Sequence, residues 1–215
     1  MKKKFQKSLN ELYEYFKHDQ ESVEPIDFLL NKVNQIDQDC TDEKADGHFP
    51  LPKELMDTDL GYAVYSDGAC RGNPGPGSWG TMCQNSTGQV IFESSGVDVP
   101  TTNNKMELEG AIQGLKLLKE YLQELGQFGE SQVFLYSDSK YVVDGISKWV
   151  EGWKKRGWKK ADKKVPENLE QWKILDEINN QYNQLKFLWV KGHDGHPQNE
   201  HCDTLANQAL DESGF

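Results

Sequence analysis

Cysteine is scarce and scattered. Cys40, Cys70, Cys83 and Cys202 form no CxxC pair, which argues against a disulfide framework and a thiolate metal site and leaves them as reduced thiols. Long apolar runs are missing too: no stretch of about 18 apolar residues exists to span a bilayer. Met1–Lys4 leads into amphipathic, acid-bearing sequence instead of the apolar core of a signal peptide. A soluble, cytoplasmic protein with no membrane partner is therefore expected. Basic residues are in deficit, with 24 Lys and Arg against 35 Asp and Glu, a net charge of -11. Taken alone, that balance disfavours a nucleic-acid partner, because phosphate contacts need cations. Distribution changes the conclusion: acid concentrates in the first sixty residues, while Lys154, Lys155, Arg156, Lys159, Lys160, Lys163 and Lys164 crowd into one stretch.

The 215 residues, 36% of them apolar, suffice for one domain of ordinary size plus an appendage. Residues 1–36 carry apolar side chains at helical spacing twice, first Phe5, Leu9, Leu12, Tyr13 and Phe16, then Val23, Ile26, Leu29, Leu30, Val33 and Ile36. A small helical extension is expected there. Residues 37–60 are acidic, broken by Gly47, Pro50 and Pro52, and read as a linker. The main domain is expected over 61–215. Strands are expected at Tyr62–Ser66, Trp79–Gln84, Val90–Ser94, Val133–Tyr136 and Lys186–Val190. Helices are expected over Lys105–Leu125, Ser139–Val150, Glu167–Tyr182 and Asn199–Leu210, with a basic, Trp-rich excursion over Trp149–Lys164. Strands in hairpins followed by strands alternating with helices imply an α/β fold with a mixed five-stranded sheet, three strands antiparallel and the later ones parallel, flanked by helices.

Two segments share a plan. Val64-Tyr65-Ser66-Asp67 and Leu135-Tyr136-Ser137-Asp138 are each a short apolar strand that ends in an aspartate and turns. If those strands are parallel neighbours, their carboxylates meet about 5 Å apart at the strand C-terminal ends, where open α/β sheets bind ligands. Either aspartate alone is equally well a turn former or a helix N-cap. Glu107 falls in the first turn of the long expected helix and Asp203 in the first turns of the last, where acids are also favoured by the macrodipole. A cluster of carboxylates without a cation would repel and raise its own pKa values, so bound metal explains it best. All-oxygen ligation indicates Mg2+, with Mn2+ able to substitute. His193, His196, His201 and Cys202 offer a zinc alternative, although their spacing fits no common zinc pattern.

The series Asp67-Gly68-Ala69-Cys70, Gly72-Asn73-Pro74-Gly75-Pro76-Gly77, Thr101-Thr102-Asn103-Asn104-Lys105-Met106-Glu107-Leu108, Asp138-Ser139, Trp189-Val190-Lys191-Gly192-His193, Gly195-His196-Pro197, Asn199-Glu200 and Cys202-Asp203 resembles type 1 ribonuclease H, block after block in the family's order. The resemblance spans roughly residues 61–210. It implies the RNase H-like fold and an endoribonuclease, a metal-dependent hydrolase that cuts the RNA strand of RNA/DNA hybrids, as in removal of RNA primers and R-loop RNA. It also implies two metals: Asp67 as their shared ligand, Asp203 on the attacking-water side, Glu107 and Asp138 on the leaving-oxygen side, and His193 as a mobile proton-transfer residue.

The same resemblance makes Asn73, Thr102, Asn103 and Asn104 contacts to the hybrid. An Asn pair before a helix is otherwise read as a cap or turn. Trp153, Lys154, Lys155, Trp158, Lys159 and Lys160 match a basic protrusion that grips the DNA strand; the plainer alternative is a solvated loop with tryptophans under lysine stems. Pro100 and Lys140 depart from the family pattern at substrate-contacting positions. A catalytically silent hybrid-binding module would need a broken acid set, and an exonuclease would leave the protrusion unexplained. The chain is expected to act as a monomer, with residues 1–36 available for a protein contact.

Overall fold

Alternation along a central strand divides this molecule into two cores. The structure, a computed structural model, describes residues 49–192 and 194–215, together with Ser8, Leu12, Tyr13, Tyr15, Phe16, Pro25 and Ile26. Two units are distinguished, Met1–His48 and Phe49–Phe215. In the first, the described residues are all helical; the rest of the two expected helices, and the linker up to His48, lie outside the described residues.

In the second unit, β1 (Gly61–Cys70) is buried from Gly61 to Asp67. Tyr62 and Val64 face one core while Ala63 and Tyr65 face the other, as a period of two requires. β2 (Gly75–Asn85) and β3 (Val90–Thr101) complete an antiparallel meander. The turn between them is closed by the Asn85 side chain, which accepts from the N–H groups of Thr87 at 3.0 Å and Gln89 at 3.1 Å, with Gly88 supplying the positive φ of 85°. β4 (Gln132–Ser137) runs parallel to β1, and β5 (Leu185–Trp189) parallel to β4, giving the order β3-β2-β1-β4-β5. The expected mixed five-stranded sheet is therefore present. β3 runs well past Ser94 because an edge strand tolerates polar residues and Pro100, whose missing N–H costs nothing on the unpaired side.

The helices within this unit are α1 (Lys53–Met56), α2 (Asn103–Glu124), α3 (Lys140–Asp144), α4 (Val150–Lys155), α5 (Leu169–Gln181) and α6 (Pro197–Glu212). None of the described helices is long and apolar enough to cross a membrane. On one face of the sheet, Leu108, Ile112, Leu115, Leu118 and Leu122 of α2 pack with Trp172, Leu175 and Ile178 of α5. On the other, Cys202 of α6 joins Ala63, Tyr65, Met82 and Phe134.

Three expectations need correction. The helix expected to stop at Val150 continues through a π-helical segment, Gly145–Trp149, into α4, so the first part of the basic excursion is helical. The extra width accommodates Trp172, whose ring lies where a Cβ on Gly145 would be. Glu107 stands beyond the first turn of α2, which begins at Asn103 and holds no acid there; the macrodipole does not explain it. The second unit also takes in Phe49–Leu60 ahead of Gly61. Leu55 is 1% exposed, and Phe49 and Leu51 pack on the second core, so apolar side chains scattered among prolines dock here although they lack any period.

Candidate active site

Parallel pairing of β1 and β4, in register Tyr65↔Tyr136, puts Asp67 and Asp138 at the same sheet edge. α2 lies across β1 closely enough that a Cβ on Gly68 would stand 2.5 Å from the Glu107 nitrogen; only glycine allows this approach. As a result Asp67, Glu107 and Asp138 each present a carboxylate oxygen within 4.8 Å of the others. Asp67 and Glu107 are buried, at 8% and 6% exposure.

Each buried acid is oriented by a neighbour. The Gly68 N–H donates to Asp67 Oδ1 at 2.7 Å, and Asn199 Nδ2 to Asp67 Oδ2 at 3.3 Å. Asn103 Nδ2 donates to Glu107 Oε1 at 3.2 Å. These bonds do not offset the loss of water. Burial first, then the Asp138 charge, and more weakly that of Asp203, push the Asp67 carboxyl up to about 8 against the Gly68 and Asn199 hydrogen bonds. Burial, then Asp67 and Asp138, hold Glu107 well above the ordinary carboxylate range. Glu107 Oε2 and Asn199 Oδ1 are buried with no hydrogen-bond partner. An orphaned carboxylate oxygen inside an all-oxygen acidic cluster fits a hard divalent cation, which would neutralise the repulsion and fill the missing coordination.

Asp203 lies outside this tight cluster. It is half-buried on α6, and its Oδ1 accepts from Asn207 Nδ2 at 2.8 Å. His193 is outside the described residues. Its neighbour Gly192 abuts the Asp138 carboxylate, where a Cβ would clash. The Trp189 indole fixes the same corner by donating to the Asp138 carbonyl at 2.9 Å.

The RNase H family profile matches residues 59–211. The chain belongs to the RNase H family. It is 47% identical over 148 residues to the ribonuclease H of Rhizobium meliloti (strain 1021), covering 69% of this chain and 89% of that one. It is 49% identical over 148 residues to the ribonuclease H of Erythrobacter litoralis, covering 69% and 94%. Among solved structures, LC11-RNase H1 in complex with an RNA/DNA hybrid aligns with a TM-score of 0.56 at 27% identity, over 71% of this chain and 98% of that chain. LC9-RNase H1, a type 1 RNase H, aligns with a TM-score of 0.60 at 29% identity, over 78% and 75%. The five-stranded sheet described above is the RNase H-like fold of these type 1 neighbours.

Around this RNase H centre, the expected substrate residues fall into two groups. Asn73 is exposed on the β1–β2 loop, and its Oδ1 accepts from the Asn103 N–H at 3.4 Å. Thr102 caps α2 by accepting from the Lys105 N–H at 3.4 Å, and Asn104 is exposed beside it. In the protrusion, Trp153 is 8% exposed and packs edge-on against Trp172 with centroids 5.6 Å apart. Lys154 pairs with Asp176 at 2.7 Å and Lys155 with Glu151 at 2.6 Å. Trp158 is half-buried at a left-handed φ of 61°, its N–H bound to the Trp153 carbonyl at 2.7 Å. Lys159 and Lys160 form no ion pair with any described residue. Tyr141, Trp149, Trp153 and Lys160 line a cavity of about 260 Å3 beside them. The Tyr141 hydroxyl there accepts from Trp172 Nε1 at 3.1 Å and Asn168 Nδ2 at 3.2 Å.

Gly68 and Asn199 were missed as site residues by sequence reasoning. Their signal was adjacency to the motif acids: Gly68 follows Asp67, and Asn199 stands one helical turn before Asp203.

Proposed function

We propose that this protein is an endoribonuclease that cuts the RNA strand of RNA/DNA hybrids internally, leaving 3'-hydroxyl and 5'-phosphate ends. The observation that carries the reading is the convergence of Asp67, Glu107 and Asp138 from β1, α2 and β4 within 4.8 Å. Asp203, one element away, contributes charge toward Asp67 and completes the acid set. Two Mg2+ ions, or Mn2+ in their place, supply Lewis acidity when bound, acidifying a water and offsetting charge on the departing 3'-oxygen.

The chain's own residues do the rest. Asp67, Glu107 and Asp138 would hold the cations, with Asp67 shared between them, Glu107 and Asp138 toward the leaving oxygen and Asp203 toward the water. Gly68 and Asn199 hold both oxygens of Asp67 in place, and Asn103 holds Glu107. In the reaction, water oxygen bonds to phosphorus as the P–O3' bond breaks, the water giving up a proton and the departing 3'-oxygen taking one up to end as the 3'-hydroxyl; His193 serves this proton transfer. Asn73, Asn103 and Asn104, on the exposed loop and helix start beside the acids, read the 2'-hydroxyl side of the wide minor groove. Lys159 and Lys160 meet the DNA backbone, Lys154 and Lys155 add charge from α4, and Trp153 and Trp158 stiffen the platform under them. The enzyme works as a cytoplasmic monomer, and residues 1–36 are available for a protein contact.

The test is incubation of labelled RNA/DNA hybrid, duplex RNA and duplex DNA with Mg2+ or chelator, beside an Asp67→Asn variant. Internal cuts confined to the hybrid's RNA strand, abolished by chelation or substitution, are expected. Intact hybrid under both Mg2+ and Mn2+ would convert the reading to a binding module, and cuts only from ends to an exonuclease.

A further inference from the structure

The segment ahead of β1 touches several elements that carry the acids. Its Pro50 carbonyl accepts from Gln198 Nε2 at 2.5 Å and from Gln84 Nε2 at 3.4 Å, and Gln198 Nε2 also donates to Gln84 Oε1 at 3.0 Å. Both amides are buried, at 0% exposure for Gln84 and 4% for Gln198. Gln198 sits in the first turn of α6 beside Asn199, the donor to Asp67. The N-cap residue His196 makes no side-chain capping bond at that helix start, so the Gln198 tie adds to the packing of Cys202 in holding it. One turn further on, Phe49 packs on the His201 ring with centroids 5.0 Å apart.

The same segment reaches the strands. Tyr136 donates to Glu54 Oε2 at 2.6 Å and stacks on Tyr65, centroids 4.8 Å apart and planes 13° from parallel. Tyr65 stands two residues before Asp67 on β1 and shares its sheet face, and Tyr136 stands two residues before Asp138, which lies just past the end of β4. Between the segment and the start of α6 lies a cavity of about 380 Å3, lined by Leu51, Glu54, Tyr65, Tyr136, Trp189 and His196 among others. The segment thus meets the acid-bearing elements through apolar packing of Phe49, Leu51 and Leu55 on the second core and, beyond it, at a few polar points. Those points set the geometry.

We propose that Phe49–Leu60 is a strap that positions the metal site, with Gln198 and the Glu54–Tyr136 pair as the positioning residues through which it acts. The inference rests on the reading of Asp67, Glu107, Asp138 and Asp203 as metal ligands. Groups that orient metal ligands affect affinity by roughly 10–100-fold. The strap acts one residue further out, so a loss of about 3–10-fold in Mn2+ affinity is expected when it is untied.

The experiment is calorimetric titration of the full-length, metal-free chain with Mn2+, checked by circular dichroism for folding. The proteins compared are the parent, Gln198→Leu, Glu54→Ala and Glu54→Gln. The strap predicts weaker binding in Gln198→Leu and Glu54→Ala, and parental binding in Glu54→Gln, which keeps an acceptor for Tyr136 while losing the charge. Half-maximal Mn2+ for hybrid cleavage should shift in the same order, with kcat recovering at excess metal. If Gln198→Leu does not fold, the two Glu54 variants decide, because that side chain is exposed. Equal losses in both Glu54 variants, or parental affinity in folded Gln198→Leu, would overturn the strap. Failure of the parent to take up Mn2+ would instead overturn the metal site itself, and the strap with it.

Discussion

Replacing Asp67 with asparagine should make the metal-free protein more stable. Burial and the Asp138 charge raise this carboxyl from 3.8 to about 8. Between those values the folded state keeps a proton that the unfolded chain has released. The stabilising contribution is therefore complete below pH about 4 and is lost as pH rises toward 8. At pH 7 the loss spans about three pH units, at 1.36 kcal/mol per unit an upper bound of about 4 kcal/mol. Asparagine keeps an oxygen for the Gly68 N–H, but it faces Asn199 with a mismatched amide, and removing the Asp67 charge also eases the upward push on Glu107. About 2 kcal/mol of net gain is expected, or a Tm rise of roughly 4–8 °C for a domain of this size. The assay is thermal unfolding in chelator at pH 4, 5.5, 7 and 8.5. The advantage of the variant should vanish near pH 4, widen with pH, and reverse in saturating Mg2+, where only the parent gains ligand-binding energy. A variant no more stable than the parent at pH 7 in chelator, or a gap independent of pH, would refute the electrostatic strain.

The proton on Asp67 also competes with metal, so apparent Mn2+ affinity should climb about tenfold per pH unit below 8 and flatten above it; calorimetry in buffers of different ionisation enthalpy would count the protons released. Gly68→Ala should cost at least about 2 kcal/mol by urea unfolding and most of the activity, because the added methyl would stand 2.5 Å from the Glu107 nitrogen and 2.7 Å from the Met106 carbonyl carbon. Lys159→Ala combined with Lys160→Ala should leave stability within about 0.5 kcal/mol while lowering the slope of log affinity for hybrid against log salt by about 0.7–0.9 for each lysine. An unchanged slope would remove those lysines from the phosphate track.

Sheet and acid pair were legible because two strands, Val64–Asp67 and Leu135–Asp138, carry the same apolar-then-acid plan, and parallel pairing needs no further information to align their ends. α2 was legible from its periodic leucines, but Glu107's approach to Asp67 depends on Gly68, where no side chain signals the contact. The π-helical widening at Gly145–Trp149 had no local cue either: it answers to the Trp172 ring, which comes from a distant helix. Phe49–Leu60 read as linker because its docking residues, Phe49, Leu51 and Leu55, follow no period and are interrupted by Pro50 and Pro52. Tertiary partners alone make that segment ordered.

The site keeps its buried acids together because the elements around it are closely packed. Desolvation would expel Asp67 and Glu107 toward water if the elements bearing them could move. β1 is clamped between β2 and β4, and α2 is seated by Gly110 and Gly114, where a Cβ on Gly114 would come within 2.7 Å of Val64 Cγ1. The acids therefore cannot relieve their repulsion by separating, and protonation or a cation remains as the response. Because Asp67 retains its proton up to about pH 8 without metal, cation binding near neutrality must displace it. The same burial that destabilises the empty carboxylate strengthens its interaction with a bound ion. Protein stability and metal affinity are thus coupled through one group, and the stability gained by Asp67→Asn in chelator should accompany the loss of metal binding.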